Sequence, residues 1–160
     1  MSILIKGGRI ITDTDDRIAD VYAEGETISR IADDINPATV PDAKVIDATG
    51  KYVFPGFIDP HVHIHLPFMG TNAIDDHASA SKAALAGGTT SLIEMICPGP
   101  DDEPRAAFEE WSALAQAGCC CDFSFHLSVV RFDALAKKQV RSLVESGQVA
   151  SFKVFLAYKG

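Results

Sequence analysis

Three histidines, His61, His63 and His65, stand two residues apart at the end of the β-rich segment 56–65. Side chains alternate between faces along a strand, so we expect these imidazoles and Asp59 to point to one side. Neutral imidazole is a common ligand for zinc and related metals, and two such rings on one strand can hold a single ion. The bare pattern is weak evidence, because a single histidine is more often a hydrogen-bonded structural residue.

The composition is that of a globular protein of one or two domains, with 160 residues of which 47% are apolar. The formal net charge of −8 argues against a surface for nucleic acid or anionic membrane, because neutralising phosphates requires basic side chains. The sequence has no apolar run of about 18 residues, and it starts with strand-like residues in place of a signal peptide. We therefore expect a cytoplasmic protein with no nucleic-acid and no membrane partner.

The other side chains that could bind metal favour structural roles. The four cysteines are Cys97 and the run 119–121, which suits neither a disulfide framework nor the paired C-x-x-C spacing of a structural zinc site. We expect buried free thiols. His77 and His126 lie outside the histidine row, and we expect both to be structural.

Residues 1–54 consist of short β-rich runs separated by glycine and proline turns. The close spacing of these runs predicts antiparallel pairing. The segment is too small and open-edged to be secure by itself. We predict that residues 1–54 form part of a small β-sandwich.

From residue 55 the pattern changes to strands that alternate with helices, which is typical of a parallel sheet. The predicted strands cover 56–65, 89–97, 123–130 and 151–157, and the predicted helices cover about 75–86, 101–118 and 133–146. Four such units are half of an α/β (β/α)8 TIM-type barrel, which needs roughly 250 residues. A doubly wound open sheet competes, but its glycine-rich phosphate turn is missing because Gly87-Gly88 follows a helix. We predict that residues 55–160 are the first four units of a truncated barrel, whose catalytic groups come from the carboxyl ends of its strands.

Four motifs along the chain resemble one family in order and spacing: PGFIDPHVH at 55–63, LPFMGT at 66–71, AALAGGTT at 83–90 and SFKVFLAYK at 151–159. They are similar to the dihydropyrimidinases and hydantoinases, which are cyclic amidases of the amidohydrolase superfamily. That family builds a β-sandwich from both chain ends around a barrel, so the resemblance also covers residues 1–54.

The resemblance implies a site for two divalent metal ions, usually zinc. His61 and His63 match the pair that holds the more buried ion, and Lys153 matches a lysine that reacts with carbon dioxide to give a bridging carbamate. An unmodified ammonium has no lone pair for such a bridge, and a bare charge is costly in the apolar strand around Lys153. Tyr158 matches a tyrosine that binds substrate and donates to its oxygen as it becomes an oxyanion. Hydroxide made available by the two ions would open the cyclic amide to an N-carbamoyl amino acid.

Position 65 bears on the substrate. Related dihydroorotases and allantoinases often carry arginine or asparagine there, and in dihydroorotases the arginine meets a substrate carboxylate. His65, followed by the apolar segment 66–68, better suits a neutral ring such as dihydrouracil, dihydrothymine or a hydantoin. An allantoinase-like or dihydroorotase-like activity is the alternative within the same chemistry.

A function of another class is also compatible with the resemblance. The collapsin response mediator proteins are similar to this family but act as cytoskeletal binding proteins and have lost the metal-binding residues. The presence of His61, His63, Lys153 and Tyr158 favours an enzyme. The resemblance further implies a homotetramer, and it places the remaining histidine ligands and an aspartate base beyond residue 160, so we expect residues 1–160 alone to be inactive.

Overall fold

The structure is a computed structural model that describes residues 1–156. The chain divides into two compact units, Met1–Pro55 and a second unit that begins at Gly56. Within the described range, no helix is both long and apolar enough to cross a membrane.

A five-stranded sheet organises the first unit. Its strands are β1 (Ser2–Ile11), β2 (Asp16–Glu24), β3 (Thr27–Ala32), β4 (Ala43–Asp47) and β5 (Tyr52–Val53), with a 3-10 turn at Pro37–Thr39. The order is β3-β2-β1-β4, with β5 also paired to β1. The first three strands are antiparallel, whereas β4 and β5 run parallel to β1. The prediction of antiparallel pairing is wrong for these two strands, because residues 33–42 carry the chain back along the sheet before β4 begins. Residues 1–55 form one sheet, and the β-sandwich stays a prediction.

A buried carboxylate ties the first unit together. Strand β1 has a bulge between Ile5 and Gly8, where Gly7 takes a positive φ of 69°, a conformation that suits glycine. The Gly7 N–H donates to Asp20 at 2.7 Å, and the Ile35 N–H donates to the same carboxylate at 2.8 Å. This carboxylate therefore joins the bulge in β1 to the segment that follows β3.

The second unit is a parallel sheet whose strands alternate with helices. The strands of this sheet are β6 (Phe57–Val62), β9 (Thr89–Ile96), β10 (Asp122–Ser128) and β11 (Ser151–Lys153), the intervening helices are α1 (His77–Ala86), α2 (Pro104–Gly118) and α3 (Ala134–Glu145), and a small hairpin joins β7 (Pro67–Phe68) to β8 (Thr71–Asn72). The order is β11-β10-β9-β6, and every pair is parallel. A mixed α/β fold is thereby confirmed. The predicted end of the last strand at residue 157 lies outside the described residues.

Helix starts follow capping chemistry in two of three cases. Asp76 and Asp133 are the N-caps of α1 and α3, and each carboxylate accepts a backbone N–H from the first turn. Helix α2 instead begins at Pro104, with Glu103 as an N-cap that makes no side-chain hydrogen bond. The predicted start at residue 101 or 102 is wrong, because the Asp102 carboxylate accepts a hydrogen bond inside the preceding loop at 2.7 Å.

An apolar core lies between the parallel sheet and helices α2 and α3. Its buried members come from both helices, from the two central strands and from the segment between α3 and β11: Ile96, Ala107, Phe108, Trp111, Ala115, Phe125, Leu127, Leu143 and Val149. The helical spacing of apolar residues predicts that Leu114 of α2 and Val144 of α3 are buried, but both are exposed. Each stands about 100° around its helix from a buried neighbour, which is enough to leave the core.

Candidate active site

Polar side chains collect where the four parallel strands end. His61 lies on β6 and His63 directly follows that strand, Cys97 directly follows β9, Ser128 is the last residue of β10, and Lys153 is the last residue of β11. The carboxyl ends of parallel strands lie at one edge of a sheet, which is where α/β proteins place their ligands. The topology of the second unit therefore brings three of the predicted site residues to a common edge.

The side chains at this edge lie close together. The ring centroids of His61 and His63 are 5.3 Å apart. His63 Nδ1 is 3.9 Å from Cys97 Sγ, which in turn is 3.7 Å from Ser128 Oγ. Neither Cys97 nor Ser128 was predicted to belong to the site, although Cys97 stands at the end of the predicted strand 89–97 and Ser128 lies near the end of the predicted strand 123–130.

Electrostatics favour the neutral form of His63. The pKa of His63 is lowered, first because the ring is partly removed from water, and then by electrostatic effects of His61 and Lys153. A neutral imidazole keeps a lone pair for a metal ion, whereas imidazolium has none.

Lys153 is half-buried at the end of β11. Its Nζ lies 5.4 Å from the centroid of the Phe155 ring, a distance at which a cation is attracted to an aromatic face. Its backbone carbonyl accepts a hydrogen bond from the Val129 N–H at 2.9 Å, which extends the pairing with β10. The backbone of Lys153 is therefore held by the sheet, at the same edge as His63.

The prediction that His61, His63 and His65 form one row along a single strand is wrong. A bulge between Asp59 and Val62 shifts the register of β6 against β9, and the strand ends at Val62. An inserted residue breaks the alternation of side chains. His65 has a positive φ of 53°, and its N–H donates to the Asp75 carbonyl at 3.1 Å. His65 thus belongs to a turn after the strand, and only His61 and His63 form the pair.

His77 and His126 are both hydrogen-bonded through their rings. His77 is buried at the start of α1, and its Nε2 lies 2.7 Å from Glu94 Oε2. His126 is half-buried on β10, with Nε2 2.9 Å from the Pro60 carbonyl and Nδ1 2.5 Å from Ser151 Oγ. Both rings have the partners that a structural histidine requires.

Glu94 was missed by the sequence analysis. It lies on β9 and is 2% exposed. One carboxylate oxygen contacts His77, and the other accepts the Ile64 N–H at 3.0 Å. Burial raises the pKa of Glu94, against the opposing effect of its hydrogen bond with His77. An acidic residue inside an otherwise apolar strand was the available signal, because a buried carboxylate needs dedicated partners.

Two further expectations have different outcomes. Tyr158 lies outside the described residues. All four cysteines are free, but Cys120 is exposed and the other three are only half-buried, so the expectation of buried thiols is wrong. The run 119–121 follows the end of α2 and lies in the connection to β10, where burial is incomplete.

The side chains at this edge fit part of a metal centre. Within residues 1–156, no group of three or more His, Cys, Asp and Glu side chains is arranged to hold a metal ion. His61 and His63 supply two imidazole donors, and a carbamate on Lys153 would add oxygen donors. Imidazole and carboxylate-type oxygen together form a donor set that suits zinc. His61 and His63 could therefore serve as two metal ligands, and a carbamate on Lys153 would serve as the third.

Comparison with known proteins shows which families the chain is similar to. Residues 44–117 match the family model described as "Amidohydrolase family". The chain is 39% identical over 159 residues to dihydropyrimidinase of Rattus norvegicus, covering 98% of this chain and 31% of that protein. It is also 39% identical over 158 residues to dihydropyrimidinase-related protein 5 of Mus musculus, covering 98% of this chain and 28% of that protein.

A solved structure gives the same result. The D-hydantoinase (dihydropyrimidinase) from Thermus sp. is 52% identical with a TM-score of 0.92, covering 99% of this chain and 34% of that one. The chain is thus homologous to the amino-terminal portion of dihydropyrimidinases and D-hydantoinases, which confirms the resemblance stated from its motifs. It spans about a third of the length of the relatives it matches.

Proposed function

We propose that the intact protein hydrolyses the cyclic amide bond of dihydropyrimidines or hydantoins to give N-carbamoyl amino acids. The observation that carries this proposal is the grouping of His61, His63 and Lys153 at one sheet edge, in a chain homologous to dihydropyrimidinase and D-hydantoinase. The proposal includes the architecture: residues 55–160 supply the first half of a (β/α)8 barrel, and residues 1–54 supply a β-sandwich segment.

The proposed cofactors are two divalent metal ions, in our proposal Zn2+, with ligands from His61, His63 and a carbamate on Lys153. When bound, such ions supply a water nucleophile at neutral pH and polarise the amide carbonyl. The lowered pKa of His63 supports this assignment, because the ring is then neutral and free to donate its lone pair.

Lys153 requires a covalent change before it can be a ligand. Its ammonium loses one proton, the Nζ lone pair forms a bond to the carbon of carbon dioxide, and a second proton leaves Nζ. The cation becomes a carbamate anion with two oxygen donors. The half-buried position of Lys153 at the same sheet edge as His63 supports this change, because a negative charge then replaces a positive one at the edge that carries a proposed metal ligand.

Tyr158 completes the catalytic assignment in this proposal. It binds the substrate, and its hydroxyl donates a hydrogen bond to the carbonyl oxygen as that oxygen gains charge. Donors aimed at a developing oxyanion contribute more to the transition state than to the ground state. Tyr158 and Lys153 are therefore the proposed catalytic residues of this chain.

The proposed substrate is a neutral ring. His65 stands in a turn where dihydroorotases carry a carboxylate-binding arginine, and the exposed Phe68 is on the β7–β8 hairpin that follows. A site without the arginine offers little to a substrate carboxylate and more to an apolar ring face. We expect higher kcat/KM for dihydrouracil, dihydrothymine and 5-substituted hydantoins than for dihydroorotate. A preference for dihydroorotate would overturn the substrate assignment and favour the alternative cyclic amidases.

A non-catalytic binding function is the second candidate, because the chain is as similar to dihydropyrimidinase-related protein 5 as to the rat enzyme. Overall identity therefore does not separate the two functions. The histidine pair and Lys153 favour the enzyme. Turnover assays on intact wild-type, Lys153→Ala and Lys138→Ala proteins separate the two, where Lys138 is an exposed lysine of α3. Turnover that only Lys153→Ala abolishes supports the enzyme, and no turnover in any of them supports the binding function.

We also propose a cytoplasmic homotetramer. The four free cysteines fit a reducing compartment. Family resemblance is the support for the tetramer, and light scattering on the intact protein would test it.

A further inference from the structure

Two side chains from neighbouring strands hold the backbone on both sides of the histidine pair. The Pro60 carbonyl, directly before His61, accepts a hydrogen bond from His126 Nε2 at 2.9 Å. The Ile64 N–H, directly after His63, donates to Glu94 Oε1 at 3.0 Å. We propose that Glu94 and His126 form a backbone clamp, defined by these two hydrogen bonds, that positions the imidazoles of the pair for metal binding. This inference rests on the proposed function.

The backbone around His61 and His63 lacks the regular strand pairing that would otherwise hold it. Strand β6 pairs with β9 at Asp59 and again at Val62, but the bulge between them disturbs the ladder around His61. His63 follows the last paired residue, so no ladder of β6 extends to it. Side-chain hydrogen bonds to the flanking backbone therefore have to fix the orientation of the pair.

The Glu94 arm of the clamp is fully engaged and buried. Its two oxygens contact the Ile64 N–H and His77 Nε2, and all three residues are buried. A buried carboxylate in such a position is costly without these partners. His77 is therefore part of the same arm, because it holds the second oxygen and orients the first.

The His126 arm connects the pair to the strand of Lys153. His126 is on β10, and it reaches past β9 to the Pro60 carbonyl on β6. Because a carbonyl only accepts, Nε2 must carry the proton, and Nδ1 then accepts from the Ser151 hydroxyl. Ser151 begins the three-residue strand that ends at Lys153. One imidazole thereby links the backbone before His61 to the strand that presents Lys153.

The chemistry of metal sites explains why such positioning matters. Partners behind metal ligands fix the orientation of the ligands, and their loss typically lowers metal affinity by about 10- to 100-fold. In this chain the partners act on the backbone that carries the rings and not on the rings themselves. Glu94 and His126 are thus positioning residues, and they touch neither substrate nor metal in this proposal.

The test uses the intact protein loaded with zinc or with cobalt. Competition with a chelator gives the dissociation constant for zinc, and the visible absorption of the cobalt form reports ligand geometry. We expect Glu94→Ala and His126→Ala to weaken zinc binding by about 10- to 100-fold and to change the cobalt spectrum. Glu94→Gln should stay near wild type, because its amide keeps a carbonyl oxygen for Ile64 and an N–H₂ for His77.

Two controls separate positioning from general destabilisation. Glu110→Ala removes an exposed glutamate of α2, and Leu143→Ala opens the apolar core. Both should keep wild-type zinc affinity and cobalt spectrum. If Glu94→Ala does not fold, the half-buried His126 carries the test alone.

The outcomes distinguish the clamp from the function on which it rests. A wild-type protein that binds metal, with unchanged affinity and spectrum in both alanine variants, would overturn the clamp and leave the proposed function intact. Equal weakening by Leu143→Ala would also overturn it, since destabilisation would then suffice. A wild-type protein that binds no metal would overturn both.

Discussion

The two units of the chain each bury one carboxylate, and the surroundings of the two carboxylates differ. Asp20 and Glu94 are both 2% exposed. Burial raises the pKa of Asp20, but hydrogen bonds from Lys6 and from the amides of Ile35 and Gly7 outweigh burial and hold that pKa below its ordinary value. Glu94 has an imidazole and one amide, and burial raises its pKa. Hydrogen bonds from three groups reach the Asp20 carboxylate, whereas two groups contact the Glu94 carboxylate, one at each oxygen.

The unit whose carboxylate has more hydrogen-bond partners has the smaller apolar core. The first unit has a cluster of three buried residues, Ile10, Ala19 and Val21. The second unit buries nine between its sheet and two helices. We conclude that the first unit depends more on its polar network, whereas the second is stabilised by its helix-covered face.

The largest expected effect comes from the core of the second unit. Leu143→Ala should lower the free energy of unfolding by about 2 to 5 kcal/mol, because Leu143 is 0% exposed and its loss leaves a cavity. Leu135→Ala is the matched control on the same helix, since Leu135 is 48% exposed, and it should change stability by about 0.5 kcal/mol or less. Urea denaturation measures both, and equal losses would contradict the placement of the core.

The next effect concerns the polar network of the first unit. Asp20→Asn should lower the free energy of unfolding by about 1 to 3 kcal/mol, because hydrogen bonds to a charged, buried acceptor are weakened. Asp42→Asn, at an exposed position, should have no measurable effect. Neither should change kcat. If Asp20→Asn is as stable as wild type but has lost turnover, the structural role assigned to Asp20 is wrong.

A change of pH should alter the contributions of Asp20 and Glu94 to stability in opposite directions. The pKa of Asp20 is lowered in the folded state, so its stabilisation is present above the unfolded value of about 3.9 and is lost as pH falls through the folded pKa. The pKa of Glu94 is raised, so stability falls as pH rises through its folded pKa. Relative to wild type, Asp20→Asn should recover at low pH, whereas Glu94→Gln should gain as pH rises. Urea midpoints across pH measure both, and equal signs would contradict this comparison.

The smallest effect concerns thiol reactivity in the second unit. Burial and the neighbouring Cys119 thiol, 3.8 Å away, raise the pKa of Cys121 to about 11. Because thiolate is the reactive form, Cys121 should be alkylated slowly by iodoacetamide at mildly alkaline pH. The exposed Cys120 should be modified first. Peptide mapping over time measures the order, and faster labelling of Cys121 would refute this assignment.

Features that depend on local chemistry were predictable from the sequence. The caps at Asp76 and Asp133 follow from short polar side chains before a helical pattern, and the parallel sheet follows from alternating strands and helices. The pairing of β4 with β1 and the register bulge in β6 were not predictable, because they depend on which strands meet.

The site was predictable only in part, for the same reason. His61, His63 and Lys153 came from motifs, and the sheet brings them together. The acidic residue inside the apolar strand 89–97 was a signal for Glu94, but the backbone partners of Glu94 and His126 could not be predicted, because they lie 30 and 66 residues away in the chain.

The most direct test of the account is the metal content of the intact protein together with the chemical state of Lys153. The protein should be prepared with zinc and bicarbonate and measured by elemental analysis and native mass spectrometry. We predict two metal ions per chain and the added mass of one carbon dioxide, both lost in Lys153→Ala, with partial recovery of activity when short carboxylic acids replace the missing bridge. A folded protein that contains no metal and an unmodified Lys153 would contradict the account.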